Sequence, residues 1–124
     1  MLWKASMKSK FITLKLGIKK NKTDGLLICL PEESNTNLIS TLNKFAAAPV
    51  IISKHNIIKS NPKYIFINSG NANACTGKEG LTNTKKILKL LAKKLNCNSN
   101  EIIIMATGII GRQLPIDDLS LIHI

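Results

Sequence analysis

Residues 64–105 read YIFINSGNANACTGKEGLTNTKKILKLLAKKLNCNSNEIIIM, and this stretch decides the fold. It opens on Tyr64-Ile65-Phe66-Ile67, an apolar run without alternation. Such a run suits a strand buried on both faces, as strands of parallel sheets are. It closes on Glu101-Ile102-Ile103-Ile104-Met105, a second buried strand. Between them, residues 80–95 have helical periodicity. Leu81, Thr84, Leu88, Leu91 and Leu95 line one face with Ile87 beside them, and Lys85, Lys86, Lys89 and Lys93 fall on the other. Asn96 is a fitting helix stop. Two strands joined by a helix of this length run parallel, because only a long crossover returns the chain to the same end of the sheet. The chain is therefore predicted to be α/β, with a β-α-β unit over residues 64–105.

This topology places two loops together. Residues 68–77 and 106–111 both leave the carboxyl ends of their strands, at the edge where α/β sheets bind ligands. Both are rich in small residues, which leave backbone N–H groups accessible. Such groups can face a developing negative charge as an oxyanion hole or an anion nest. Thr107 adds a hydroxyl donor and Gly108 an unhindered N–H. The alternative is a plain turn in which Gly108 and Gly111 supply only permissive dihedrals. Asn68, Asn71 and Asn73 put three amides within six residues, available either to a substrate or to hydrogen bonds within the loop. Thr76-Gly77-Lys78 sits where a P-loop would, but six residues separate Gly70 from Gly77, and Glu79 follows Lys78 where that motif needs Ser or Thr.

Outward from this unit, residues 11–16 and 26–30 read as strands, with a turn signal at Asp24-Gly25. The β-branched run Pro49-Val50-Ile51-Ile52-Ser53 reads as another strand. Residues 38–45 fit either strand or helix, and residues 55–62 form a connection with room for a helical turn. Pro115-Ile116-Asp117-Asp118 looks like the first turn of a helix, its acids well placed against the helix dipole.

Composition narrows the function classes. The net charge of +11 points at first to an acidic partner. Yet Arg112 is the sole arginine and aromatics are only 4%, so the bidentate and stacking groups that read nucleic acid are lacking. Abundant Lys, Ile and Asn share A/T-rich codons, and coding bias accounts for the charge. Cys29, Cys75 and Cys97 are odd in number and widely spaced, which argues against a disulfide framework or a zinc site and for a reducing, cytoplasmic setting. Cys75 reads as a small buried residue, and His55 as an exposed one. No apolar run has membrane-spanning length, and Met1-Leu2-Trp3-Lys4 opens no signal peptide. No cofactor or metal motif stands out.

The segment Asn68-Ser69-Gly70-Asn71-Ala72-Asn73-Ala74-Cys75-Thr76-Gly77, with Gly80 beyond it, is followed by Ala106-Thr107-Gly108-Ile109-Ile110-Gly111 and Leu114-Pro115. Weaker blocks, Gly17-Ile18-Lys19 and Ala47-Ala48-Pro49-Val50, precede them. Together they resemble the α-chain of the ornithine acetyltransferases, also called bifunctional glutamate N-acetyltransferases, over residues 11–118. The resemblance implies part of the layered α/β fold of that family. It implies transfer of acetyl from N-acetylornithine to glutamate in arginine biosynthesis, with acetyl-CoA a donor for some members. It implies a precursor that cleaves itself, a threonine nucleophile at the start of the β-chain, and an α2β2 assembly. It assigns the oxyanion hole to Thr107 and Gly108.

Three departures stand out, the largest being that the rest of the α-chain, the cleavage site and the nucleophile are missing. Ser40-Thr41-Leu42-Asn43 occupies the place of a Phe-Thr-Thr-Asn-like block, and Ala106 replaces the usual Ser. Residues 1–118 are accordingly read as the first portion of an α-chain, lacking the nucleophile, inactive alone and poorly soluble because strand edges are left open. Leu119-Ser120-Leu121-Ile122-His123-Ile124 reads as the translation of a transposase adapter and is expected to be non-native. A related self-processing aminopeptidase and a basic anion- or nucleic-acid-binding module are the other readings.

Overall fold

A computed structural model describes residues 8–117 and 119. In chain order the elements are β1 (Lys10–Leu14), β2 (Gly25–Cys29), α1 (Ala48–Lys59), β3 (Tyr64–Asn68), α2 (Gly77–Leu95), a 3-10 turn (Ser99–Glu101) and β4 (Ile102–Ala106). The strands form one sheet in the order β1-β2-β3-β4. The first two junctions are antiparallel, and β3 pairs with β4 in parallel. The β-α-β unit thus forms as its periodicity requires. α2 begins three residues before the predicted start and ends on Asn96, whose left-handed backbone (φ 55°) closes the helix.

Strand register sorts the sheet into two faces. Ile12, Leu27, Phe66 and Ile104 form one cross-strand row. The last three are buried with Leu14 and Ile102 beneath the apolar stripe of α2, Ile87-Leu88-Leu91-Ala92, and Ile52 of α1. Each fully buried large aliphatic or phenyl side chain there contributes about 1.5–3 kcal/mol. The opposite face carries Phe11, Leu26, Ile28, Ile65, Ile67, Ile103 and Met105, and none of these joins the buried cluster. Ile103 is buried, but Phe11 is 65% and Met105 47% exposed. The sheet is therefore apolar on both sides and helix-covered on one.

Its two edges also differ. Along β4, the Ser53 hydroxyl donates to the Ile104 carbonyl (2.6 Å) and accepts from the Ile104 N–H (3.0 Å). Asn56 Nδ2 donates to the Ile102 carbonyl at 2.9 Å. Side chains of α1 therefore occupy the outer hydrogen-bonding groups that another strand would need. The expectation of open strand edges fails for β4. On the far side β1 has no further strand beyond it among the described residues.

Residues 49–53 correct the strand reading: they lie inside α1. Pro49 falls in the first helical turn, where its missing N–H has no partner to lose. The polar residues Ser53 and Asn56 then recur at helical spacing against β4, and that packing outweighs the strand preference of Val50, Ile51 and Ile52. Residues 38–45 form neither helix nor strand, and Ile39, Leu42 and Phe45 are exposed. Ile116 and Asp117 make a turn, not a helix. The readings placed on residues 1–7, on Asp118 and on 120–124 lie outside the described residues. Among the described residues no helix is long and apolar enough to cross a membrane.

Candidate functional site

The loop after β3 is built by its own asparagines. Asn68, Asn71 and Asn73 are each at most 2% exposed. Asn68 Nδ2 donates to the Asn71 carbonyl (2.8 Å), and Asn71 Oδ1 accepts from the Asn73 N–H (2.8 Å). Asn73, at φ 49°, donates through Nδ2 to Thr84 Oγ1 on α2 (2.6 Å), and its Oδ1 accepts the Thr76 hydroxyl (2.8 Å). Thr76 is consequently not free to cap α2 with its side chain. Gly80 is required here, since a Cβ would fall 1.8 Å from Thr76 Oγ1. Of the two uses open to the three amides, the geometry engages each in a hydrogen bond inside the protein.

The loop after β4 is laid against this frame. Thr107 N–H donates to the Asn68 carbonyl (3.0 Å), Ile109 N–H to Gly70 (3.4 Å) and Gly111 N–H to Ala74 (2.8 Å). In return Ala72 N–H donates to the Ile109 carbonyl at 2.9 Å. Asn71 Nδ2 reaches the carbonyls of Arg112 (3.0 Å) and Gln113 (3.3 Å), and Gln113 Nε2 returns to the Thr76 carbonyl (3.0 Å). The two backbones touch at Gly108. Its φ is 128°, and a Cβ there would lie 2.5 Å from Gly70 C and 2.6 Å from Asn71 N.

The outcome is a selective exposure of donors. Thr107 and Gly108 are both exposed. The amides of Thr107 and Ile109 are tied to the neighbouring loop, whereas among the described residues the Gly108 N–H and the Thr107 hydroxyl have no partner. One backbone and one side-chain donor thus sit side by side on an over-determined turn at the carboxyl ends of two parallel strands. Such a pair can hold an oxyanion without reorganising. An apolar cavity of about 270 Å³ opens beside Ala106, lined by Pro49, Val50, Ala72 and Met105 among others.

Asp24, which sequence reading treated only as part of a turn, braces the site from behind. It is buried, its carboxylate accepts the N–H groups of Leu16 and Lys19, and its carbonyl accepts the Ser69 N–H at 2.8 Å. The Asp-Gly pair gave the one available signal. Cys75 corrects the expectation of burial: it is exposed at φ 56°, on the surface of the loop. His55 is exposed on α1, and no hydrogen bond joins it to Cys75 among the described residues. No group of three or more His, Cys, Asp or Glu side chains that could hold a metal occurs among the described residues. The resolved ionic pair lies at the other end of the sheet. Lys63 Nζ sits 3.0 Å from Glu101, whose carboxyl is held below the usual range by the Asn98 N–H and then by Lys63. The lysine is raised in turn by its hydrogen bond to Glu101.

A parallel-strand unit ending in two interlocked glycine-bearing loops defines an α/β protein with backbone donors at its ligand edge. The chain belongs to the ArgJ family, whose model matches residues 10–122. It is 43% identical over 102 residues to an arginine biosynthesis bifunctional protein ArgJ 2 of Clostridium acetobutylicum, covering 82% of this chain and 26% of that one. It is 38% identical over 109 residues to the ArgJ bifunctional protein of Rhodopirellula baltica, covering 87% and 27%. The fold matches the crystal structure of the Bacillus halodurans ArgJ protein with a TM-score of 0.83 at 28% identity, over 92% of this chain and 60% of that one. It also matches the ornithine acetyltransferase of Mycobacterium tuberculosis, solved with ornithine, with a TM-score of 0.81 at 27% identity, over 89% and 61%. The resemblance read from the two loops and the α/β fold are both borne out. The chain spans about a quarter of the length of the curated relatives it matches.

Proposed function

We propose that this chain supplies the oxyanion hole of an acyltransferase that moves acetyl from N-acetylornithine to glutamate in arginine biosynthesis, with acetyl-CoA as a further donor. The observation that carries the reading is the pair of unpartnered donors, the Gly108 N–H and the Thr107 hydroxyl, between amides that are already engaged. When a nucleophile adds to the acetyl carbonyl, negative charge grows on the carbonyl oxygen, and these two donors stabilise it. The nucleophile is a threonine at the start of a β-chain, released when the longer precursor cleaves itself. Its hydroxyl proton passes to the departing amine of ornithine as the acetyl ester forms; the amine of glutamate then attacks the ester and returns a proton to the threonine oxygen, leaving N-acetylglutamate and the free hydroxyl. The chain needs no bound cofactor for this role. The enzyme is cytoplasmic and assembles as α2β2, with residues 1–118 forming the first part of the α-chain.

Acetyl transfer by a full-length polypeptide carrying these residues tests the proposal. Thr107→Ala removes one donor, and the loss is about 10²–10³-fold in kcat with the fold intact. Wild-type turnover in that variant would remove the oxyanion assignment.

A further inference from the structure

We infer that Asn71 is a positioning residue for the reaction, because it holds the Thr107–Gly108 pair in place although it touches no reacting atom. The inference rests on the acyl-transfer reading above. Asn71 lies against the crown of the arch formed by residues 107–111 and holds its exit with its side-chain amide. At the crown, its backbone nitrogen lies against Gly108, where a Cβ would come within 2.6 Å, and it pairs with Ile109 in a parallel bridge. At the exit, its Nδ2 donates to the carbonyls of Arg112 and Gln113, at 3.0 and 3.3 Å. Its own carbonyl and Oδ1 are held by Asn68 Nδ2 and the Asn73 N–H, both at 2.8 Å, so the grip is itself immobilised. The side chain is 2% exposed, and its Nδ2 and Oδ1 are both engaged inside the protein.

The chemistry explains why such a clamp matters. Donors stabilise an oxyanion best when they already point at its position and need not move during the reaction. A displacement of about 1 Å can cost roughly 10²-fold in rate. The entry of the arch is fixed by Thr107 N–H on the Asn68 carbonyl. Its exit has no regular secondary structure, since residues 112–115 are coil. Without the Asn71 amide the exit carbonyls would turn to water, and the arch would rest on the backbone bonds of Thr107, Ile109 and Gly111 alone, of which the Ile109 bond is long at 3.4 Å. Gln113 reinforces the clamp from the opposite side through the Thr76 carbonyl (3.0 Å).

The test is Asn71→Asp in the full-length enzyme. It keeps size and the acceptor for the Asn73 N–H, but it sets an oxygen against the two exit carbonyls. The expected result is a fall in kcat of about 10–10²-fold with KM nearly unchanged, since substrate is not touched. In the Thr107→Ala background the same substitution should cost a clearly smaller factor, because one of the two donors it positions is already gone. Gln113→Ala, a milder change, should lower kcat in the same sense and carries the test if Asn71→Asp does not fold. Wild-type kcat in a folded Asn71→Asp enzyme, or an equal loss in both backgrounds, overturns the positioning role. Failure of the oxyanion reading itself is seen separately, as full turnover in Thr107→Ala alone.

Discussion

The two loops at the carboxyl ends of β3 and β4 are neighbours in space and opposites in construction. The first buries its polar side chains: Asn68, Asn71, Asn73 and Thr76 are all within the protein and all hydrogen-bonded. The second exposes residues 107–111 and contributes mainly backbone to the interface. In the proposed reaction the plainer loop is the one that offers donors to the substrate. A free N–H is useful only if its position is imposed from outside, and the asparagine-rich loop is the mould that imposes it. Substitutions in the first loop should therefore act through stability or geometry, and those in the second through the reacting centre.

The sharpest way to break this contrast is Gly108→Ala. The added Cβ meets the Gly70 and Asn71 backbone, and φ 128° is strained for any side chain. Acetyl transfer in the full-length enzyme should fall about 10²–10³-fold, the scale of losing one oxyanion donor, as read by single-turnover kinetics. Asn73→Ala comes next and should act on stability. It strips Thr84 and Thr76 of a buried partner, a cost of about 2–3 kcal/mol in urea unfolding. Unchanged stability would show that Asn73 is not part of the frame on which the second loop rests.

Ser53→Ala should cost less, about 1–2 kcal/mol, and should speed hydrogen exchange at the Ile104 amide, which loses its acceptor. It leaves both loops untouched and so serves as a control. The smallest effect belongs to Glu101→Gln. The carboxyl is held low when folded, so its contribution exists above the ordinary carboxylate range and is lost as pH falls through the lowered value. Lys63 is held high, so its share exists below the ordinary lysine value and is lost as pH rises through the raised one. The stability gap between wild type and variant should be flat near neutrality, close at the acid extreme, narrow at the basic one to the share of the Asn98 N–H, and shrink with salt, because the lysine is exposed.

The part of the fold written in strong periodicity was legible. The lysine and leucine faces of α2 and the two isoleucine-rich runs lead directly to parallel strands and to the adjacency of the loops. α1 was not legible as a helix. Val50, Ile51 and Ile52 favour strand locally, and the deciding contacts, Ser53 and Asn56 on β4, lie some fifty residues away in sequence. Asp24 escaped notice because its carboxylate partners, Leu16 and Lys19, lie in the aperiodic β1–β2 connection and its carbonyl partner, Ser69, is remote in sequence. The asparagines were visible as a cluster, but only the register of the two loops decides which way each amide is used. Cys75 was misread because its left-handed backbone turns it to the surface.

The sealing of β4 by Ser53 and Asn56 has a consequence for how a larger assembly can grow from this chain. A sheet lengthens by adding strands at whichever border still offers unpaired peptide groups. With one border occupied by a helix, any newcomer must join beyond β1, three strands away from β4. Among the described residues the sheet has a single growing end, and the turn that bears Thr107 and Gly108 stands at the end that is already closed.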